Sequence, residues 1–225
     1  MVRTPIIAVL PAIPGFVELV EKYYVIYCLL LAVTAGVFEM LGRWIVAKII
    51  GEAITFKKGV AAGLGHGSIE SILLIGVTYV NNLLYIMAIN NGTFDSLIEQ
   101  AAAAGQNTDT WYEVREALLG SVSGVIYLAG YERVLTLVIH IALSLIVCYF
   151  VWKKKTAQGL VICAAAHTAV DFITGVLTGL PTEYMGNLVS EKVGSALIYV
   201  FLTLVAVGAG YVIYRIGKVW KEEVV

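Results

Sequence analysis

The chain has 225 residues, 60% of them hydrophobic and 14% charged, with a formal net charge of −1 and a mean hydropathy of +0.87. Soluble domains carry about 25% charged residues, so this composition excludes an ordinary water-soluble globule and predicts an integral membrane protein with the lipid bilayer as partner. A near-neutral chain also offers no concentrated basic face, which excludes nucleic acid.

Backbone polar groups in lipid must be satisfied within helices or closed barrels, and the long apolar runs here lack the two-residue alternation of barrel strands. The expected fold is all-α. It is a polytopic transmembrane helix bundle of about five to seven spans, a single domain over residues 1–225 with a polar inter-helix cavity near mid-bilayer. Cys28, Cys148 and Cys163 fall in apolar runs without paired spacing, so neither disulfides nor a zinc ribbon is indicated.

Taken in order, residues 4–20 are apolar but broken by Pro5, Pro11 and Pro14; a short span, a re-entrant segment and an interfacial helix all fit. No small-residue cleavage site is obvious, and the segment is read as mature chain. Residues 23–50 predict a long helix bearing Glu39 and Arg43, one turn apart. A loop with Lys57 and Lys58 leads into an apolar span over 59–80 that contains Gly63-Leu64-Gly65-His66-Gly67-Ser68-Ile69-Glu70-Ser71. His66 and Glu70 share a helix face, and the three glycines on or near it admit another helix backbone at close range.

Residues 91–120 form the one sizeable polar segment, expected as a non-cytoplasmic loop or lid. Within it Ser96 to Glu99 and Thr110 to Glu113 match the capping-box pattern for short helices. A short apolar stretch, 122–131, suits the interface. Spans then follow over 132–152 with His140, over 158–180 with His167 and Asp171 ahead of Pro181, and over 193–214 with no ionisable residue. Placing Lys57 and Lys58, Lys153 to Lys155, and the tail with Arg215, Lys218 and Lys221 in the cytoplasm lets successive spans alternate.

At about 1.5 Å rise per residue, this topology puts Glu39, Glu70, His140 and His167 at one depth near mid-bilayer, with His66 nearer the cytoplasm and Asp171 slightly beyond. Ionisable groups at that depth cost several kcal/mol unless partnered or solvated, and so mark a site. Histidines and carboxylates on facing helices are the ingredients of a zinc site with an open position, or of a metal-free acid-base constellation; the chemistry in both is activation of water. Arg43 either takes part or serves as the charge partner that makes a buried Glu39 tolerable.

The succession Phe38-Glu39-Met40-Leu41-Gly42-Arg43, then Gly63 to Glu70, then Glu132-Arg133 followed by His140, then His167-Thr168-Ala169-Val170-Asp171 resembles the YhfC family of intramembrane metalloproteases. That family is itself similar, distantly, to the PrsW and CAAX prenyl protease (Abi) group. The resemblance implies hydrolysis of a peptide bond in or near the membrane of a prokaryotic cell, acting on a membrane-embedded or lipid-modified peptide. It makes Glu39 the first glutamate of the family's pair, Arg43 the basic residue after it, Glu70 the acid closing the glycine motif, His140 the lone histidine, and His167 with Asp171 the final pair. Met40 stands where a second glutamate is expected.

On this reading Glu39 or Glu70 is the general base, His140 and His167 are metal ligands or oxyanion stabilisers, His66 is an auxiliary ligand and Asp171 orients His167. Two other classes compete. A proton-coupled small-solute transporter also uses membrane Glu and His, although no inverted repeat is visible. A catalytically inactive relative acting as a binding partner is kept open by Met40.

Overall fold

A helix that is hydrophobic all round has no side to offer water, and the longest helices of this chain are of that kind. The computed structural model describes residues 9–120 and 123–222; the expectation for residues 1–8 falls outside them. Among the described residues are nine α-helices and no strand: α1 (Phe16–Lys22), α2 (Tyr24–Ile50), α3 (Phe56–Ser71), α4 (Val77–Asn90), α5 (Phe94–Ala103), α6 (Asp109–Gly120), α7 (Ser123–Trp152), α8 (Thr156–Gly179) and α9 (Glu191–Glu222). Four segments, Tyr24–Ala53, Ile126–Trp152, Thr156–Gly179 and Glu191–Trp220, are long and apolar enough to cross a membrane. Large side chains such as Leu204 and Val207 stand about two-thirds exposed along them, which suits a surface facing lipid. The chain is a polytopic helical bundle.

The apolar run over 59–80 is α3, a π-helical turn at Ile72–Gly76, and the start of α4. The stretch expected at the interface over 122–131 instead continues α7, whose membrane-length segment begins at Ile126. Helices do form within 91–120, but they start earlier than the capping boxes suggest. Gly92 and Gly105, both at positive φ, close α4 and α5 with bonds from Thr93 N–H to Ala88 C=O and from Gln106 N–H to Ala101 C=O, 2.9 Å each. After such a left-handed closure α5 begins at once, leaving Ser96 inside its first turn, where its hydroxyl donates to Thr93 C=O at 2.7 Å.

The chain divides into two compact units, one of residues up to Gly67 and from Val134 onward, the other Ser68–Arg133. In the second, α5 and α6 both pack on α4, and Phe94, 2% exposed, packs against the rings of Tyr85 and Trp111 at 5.9 and 6.2 Å.

In the first unit α2 packs along α8, and α8 on α9, over a core that includes Ala47, Leu145, Cys148, Cys163, Leu202 and Trp220. Small residues set the spacing. A methyl group added at Gly36 of α2 would lie 2.3 Å from Thr168 Oγ1 and 2.8 Å from Ala164 C=O of α8. Between α3 and α7 the same role falls to Gly59, Gly63 and Gly67, one per turn: added methyls would come within 2.8 Å of Leu145 Cδ2, 2.4 Å of Ile141 Cα and 2.8 Å of Leu137 Cδ1. Gly65, counted with this stripe from sequence, faces open space. Backbones that touch in this way fix two helices in register, because lipid supplies no hydrophobic drive and packing must do it.

Gly63→Ala therefore forces backbone apart and is expected to cost about 1–3 kcal/mol. Thermal melts of detergent-purified protein should show its midpoint lowered by several degrees, with Gly65→Ala beside wild type; equal midpoints for both variants would refute the contact.

Candidate functional site

Two glycine seams, α2 on α8 and α3 on α7, converge on one level of the first unit. The i, i+4 spacing puts Glu39 and Arg43 on one face of α2. Arg43 is buried, with 1% of its side chain exposed, and a guanidinium cannot shed its charge. Its Nη1 donates to Glu39 Oε2 at 3.2 Å, and its Nη2 donates to His140 Nδ1, on α7, at 2.6 Å. His66 of α3 bonds the same Glu39 oxygen through Nε2. A carboxylate paired with Arg43 only accepts, so the proton of that bond sits on His66 Nε2, which in a neutral ring leaves the lone pair on Nδ1.

Gly67 clears space for the His140 side chain, and Gly42 faces the His66 ring at ordinary contact distance. A methyl at Gly42 would come 3.6 Å from His66 Cε1, and one at Gly67 would come 3.1 Å from His140 Cβ. The His66 and His140 rings stack at 5.4 Å between centroids, and His140 meets His167 of α8 edge-on at 6.0 Å. His167, itself buried, has Nε2 3.4 Å from Asp171 Oδ2, whose side chain is 37% exposed. Arg43 Nε is buried without a partner, as are Trp44 Nε1 and Ser144 Oγ.

Glu39, His66 and His140 offer ligand atoms within 4.8 Å of one another; Glu70 follows His66 by four residues along α3. Oxygen and imidazole donors, without a thiol, suit a divalent ion such as zinc, whose ligands stand about 2.0–2.2 Å from the metal. His167 and Asp171 stand outside this group: His167 touches it through the His140 ring, and Asp171 only through His167. His66, expected nearer the cytoplasm than Glu39, is bonded to it. The register of α3 follows from the Gly63 and Gly67 contacts on α7, whereas the depth expectation counted turns from the loop lysines. Sequence reasoning missed Gly59 in the stripe, although its four-residue spacing to Gly63 was readable. It also missed the contact between Arg43 and His140, for which positions 97 apart in the chain carry no local signal.

Apolar helices of membrane length that bury paired charges and a group of imidazoles and carboxylates describe a membrane protein with a polar intramembrane site, the class to which metal-dependent intramembrane hydrolases belong. The model of the YhfC intramembrane metalloprotease family matches residues 10–189, and the chain belongs to that family. It is 34% identical over 135 residues to the "Uncharacterized membrane protein YhfC" of Bacillus subtilis (strain 168), a match covering 59% of this chain and 49% of the relative. The chain thus spans about half the length of that relative. No solved structure matches it.

Removing one partner of a buried ion pair leaves the other charge uncompensated, a loss of about 3–5 kcal/mol. Arg43→Ala is expected to lower folded yield and thermal midpoint sharply, and Glu39→Gln in the same chain to restore part of the loss. A double-mutant cycle on thermal midpoints checks the coupling; additive effects would refute the pairing.

Proposed function

We propose that this chain is a peptidase that hydrolyses a peptide bond in or near the membrane, on a membrane-embedded or lipid-modified peptide. The observation that carries the reading is the buried network in which Arg43 and His66 converge on one Glu39 oxygen while Arg43 also holds His140. Membership in a metalloprotease family adds to it.

Zinc would be held by Glu39 and His66, with Glu70, four residues along α3, as a further carboxylate, and when bound it supplies Lewis acidity and a water acidic enough to attack near neutral pH. The protein's own groups do the rest. Glu39 or Glu70 takes the proton from the attacking water. Glu39 accepts the Nε2–H of His66, which orients the ring and makes Nδ1 the more basic nitrogen. Arg43 balances the carboxylate charge inside an apolar bundle. His140 and His167 line the side of the site where the carbonyl oxygen gathers charge, with Asp171 orienting His167. The expected orientation keeps Lys57, Lys58 and Lys153 to Lys155 in the cytoplasm and residues 91–120 on the opposite side.

The test is cleavage of a membrane-anchored reporter peptide in proteoliposomes. Glu39→Gln, Glu70→Gln and His66→Ala should be compared with wild type after matching thermal midpoints. Loss of a general base costs about 10²–10⁴-fold in rate, so at least one glutamate variant should fall that far while staying folded. Wild-type proteoliposomes that cleave nothing but acidify on addition of a solute would replace the peptidase with a proton-coupled transporter.

A further inference from the structure

A neutral imidazole has one lone pair to give. When one ring nitrogen accepts a hydrogen bond, the other carries the proton and can only donate. His140 Nδ1 lies 2.6 Å from Arg43 Nη2, and a guanidinium nitrogen at any pH a protein survives is a donor without acceptor capacity. His140 is itself buried, so water does not compete for that nitrogen. A proton on His140 Nδ1 would set donor against donor at this distance.

From this we infer that Arg43 is a positioning residue that locks His140 in its Nε2–H tautomer, so that His140 serves the reaction as a hydrogen-bond donor and not as a metal ligand. Metal binding through Nδ1 would require the guanidinium to leave. Binding through Nε2 would require a proton on Nδ1, facing that guanidinium. His66 gives its Nε2–H to Glu39, and a neutral His66 ring then has its lone pair on Nδ1, the complementary state. The two stacked rings therefore divide the work. His66 offers a ligand nitrogen beside the Glu39 carboxylate, and the Nε2–H of His140 is the donor that turns to an oxygen gaining negative charge, the role of an oxyanion donor.

The assignment deepens the peptidase reading, and its metal arm rests on that reading; the tautomer does not. The chain has only three histidines, so ¹⁵N-histidine labelling in detergent micelles yields three pairs of ring nitrogens, assigned by single substitutions His66→Ala, His140→Ala and His167→Ala. Near neutral pH, long-range ¹H–¹⁵N spectra should show His140 with a protonated Nε2 and an unprotonated, hydrogen-bonded Nδ1. On titration with zinc, His66 should take the shift of a metal-bound nitrogen while His140 keeps its pattern. In Arg43→Met the lock is gone: His140 should populate both tautomers, and zinc affinity should rise as a further nitrogen becomes free to bind, a gain absent from Arg43→Met/His140→Ala.

A wild-type His140 protonated at Nδ1, or one whose Nε2 shifts as a zinc ligand, overturns the assignment. If zinc moves none of the three histidines, the metal-dependent reading fails, and the wild-type tautomer still decides the role of Arg43 whether or not the variants fold.

Discussion

A guanidinium buried among apolar helices is the constraint on which the rest of this structure turns. Arg43 cannot neutralise itself by losing a proton, and its side chain is sealed from solvent. The bundle must therefore bring acceptors to it. Glu39 does so from the same helix, one turn away, which any helix would allow. His140 does so from a helix far along the chain, which only a particular packing allows. Once both are in place, Glu39 is a carboxylate whose charge is already balanced, and it accepts His66 without exposing an unpaired charge to the apolar surroundings. Breaking the arrangement at one point strands a charge, whereas keeping it leaves a polar island that lipid tolerates.

The glycines explain how side chains on separate helices come that close. Imidazole and guanidinium groups are short compared with the 8–10 Å that usually separates helix axes. Gly63 and Gly67 remove the Cβ atoms that would hold α3 off α7, and Gly36 does the same between α2 and α8. A glycine in a helix costs up to about 1 kcal/mol relative to alanine in water, a penalty these positions offset by backbone contact. Packing and polar geometry are one device here, since Gly67, which lets α3 touch α7, also leaves room for the His140 side chain.

Much of this was legible in the sequence, and the boundary of what was not has a physical cause. Membrane insertion, the all-helical fold, the bounds of α2 and α8 and the C-terminal end of α7 follow from apolar runs and from their breakers, such as Pro181 just beyond α8. The titratable residues stood out because lipid makes each one expensive. Their partners did not, for partnership depends on helix rotation and register. Counting turns from the loop lysines gave heights along the bilayer normal and no rotation, so the bond from His66 to Glu39 was not foreseen. Gly65 seemed part of the contact stripe while Gly59 belongs to it. The capping boxes promised helices within 91–120, but the left-handed closures at Gly92 and Gly105 set where they begin.

The balance of donors and acceptors in the site bears on its chemistry. Arg43 brings five N–H groups, of which one on Nη1 and one on Nη2 are spent on Glu39 and His140, and its Nε is buried with none. His66 spends its N–H on the Glu39 oxygen that Arg43 also uses. Donors converge on few acceptors. A proton-relay site would gain from alternating donors and acceptors that can each pass a proton on, and a guanidinium that never releases its own proton interrupts such a chain. A site that meets an oxygen growing negative during the reaction gains from donors held in place beforehand, because no reorganisation is then needed when the charge appears. The surplus of fixed donors around Arg43 accordingly favours the hydrolase reading over the transporter, and it does so without reference to a metal.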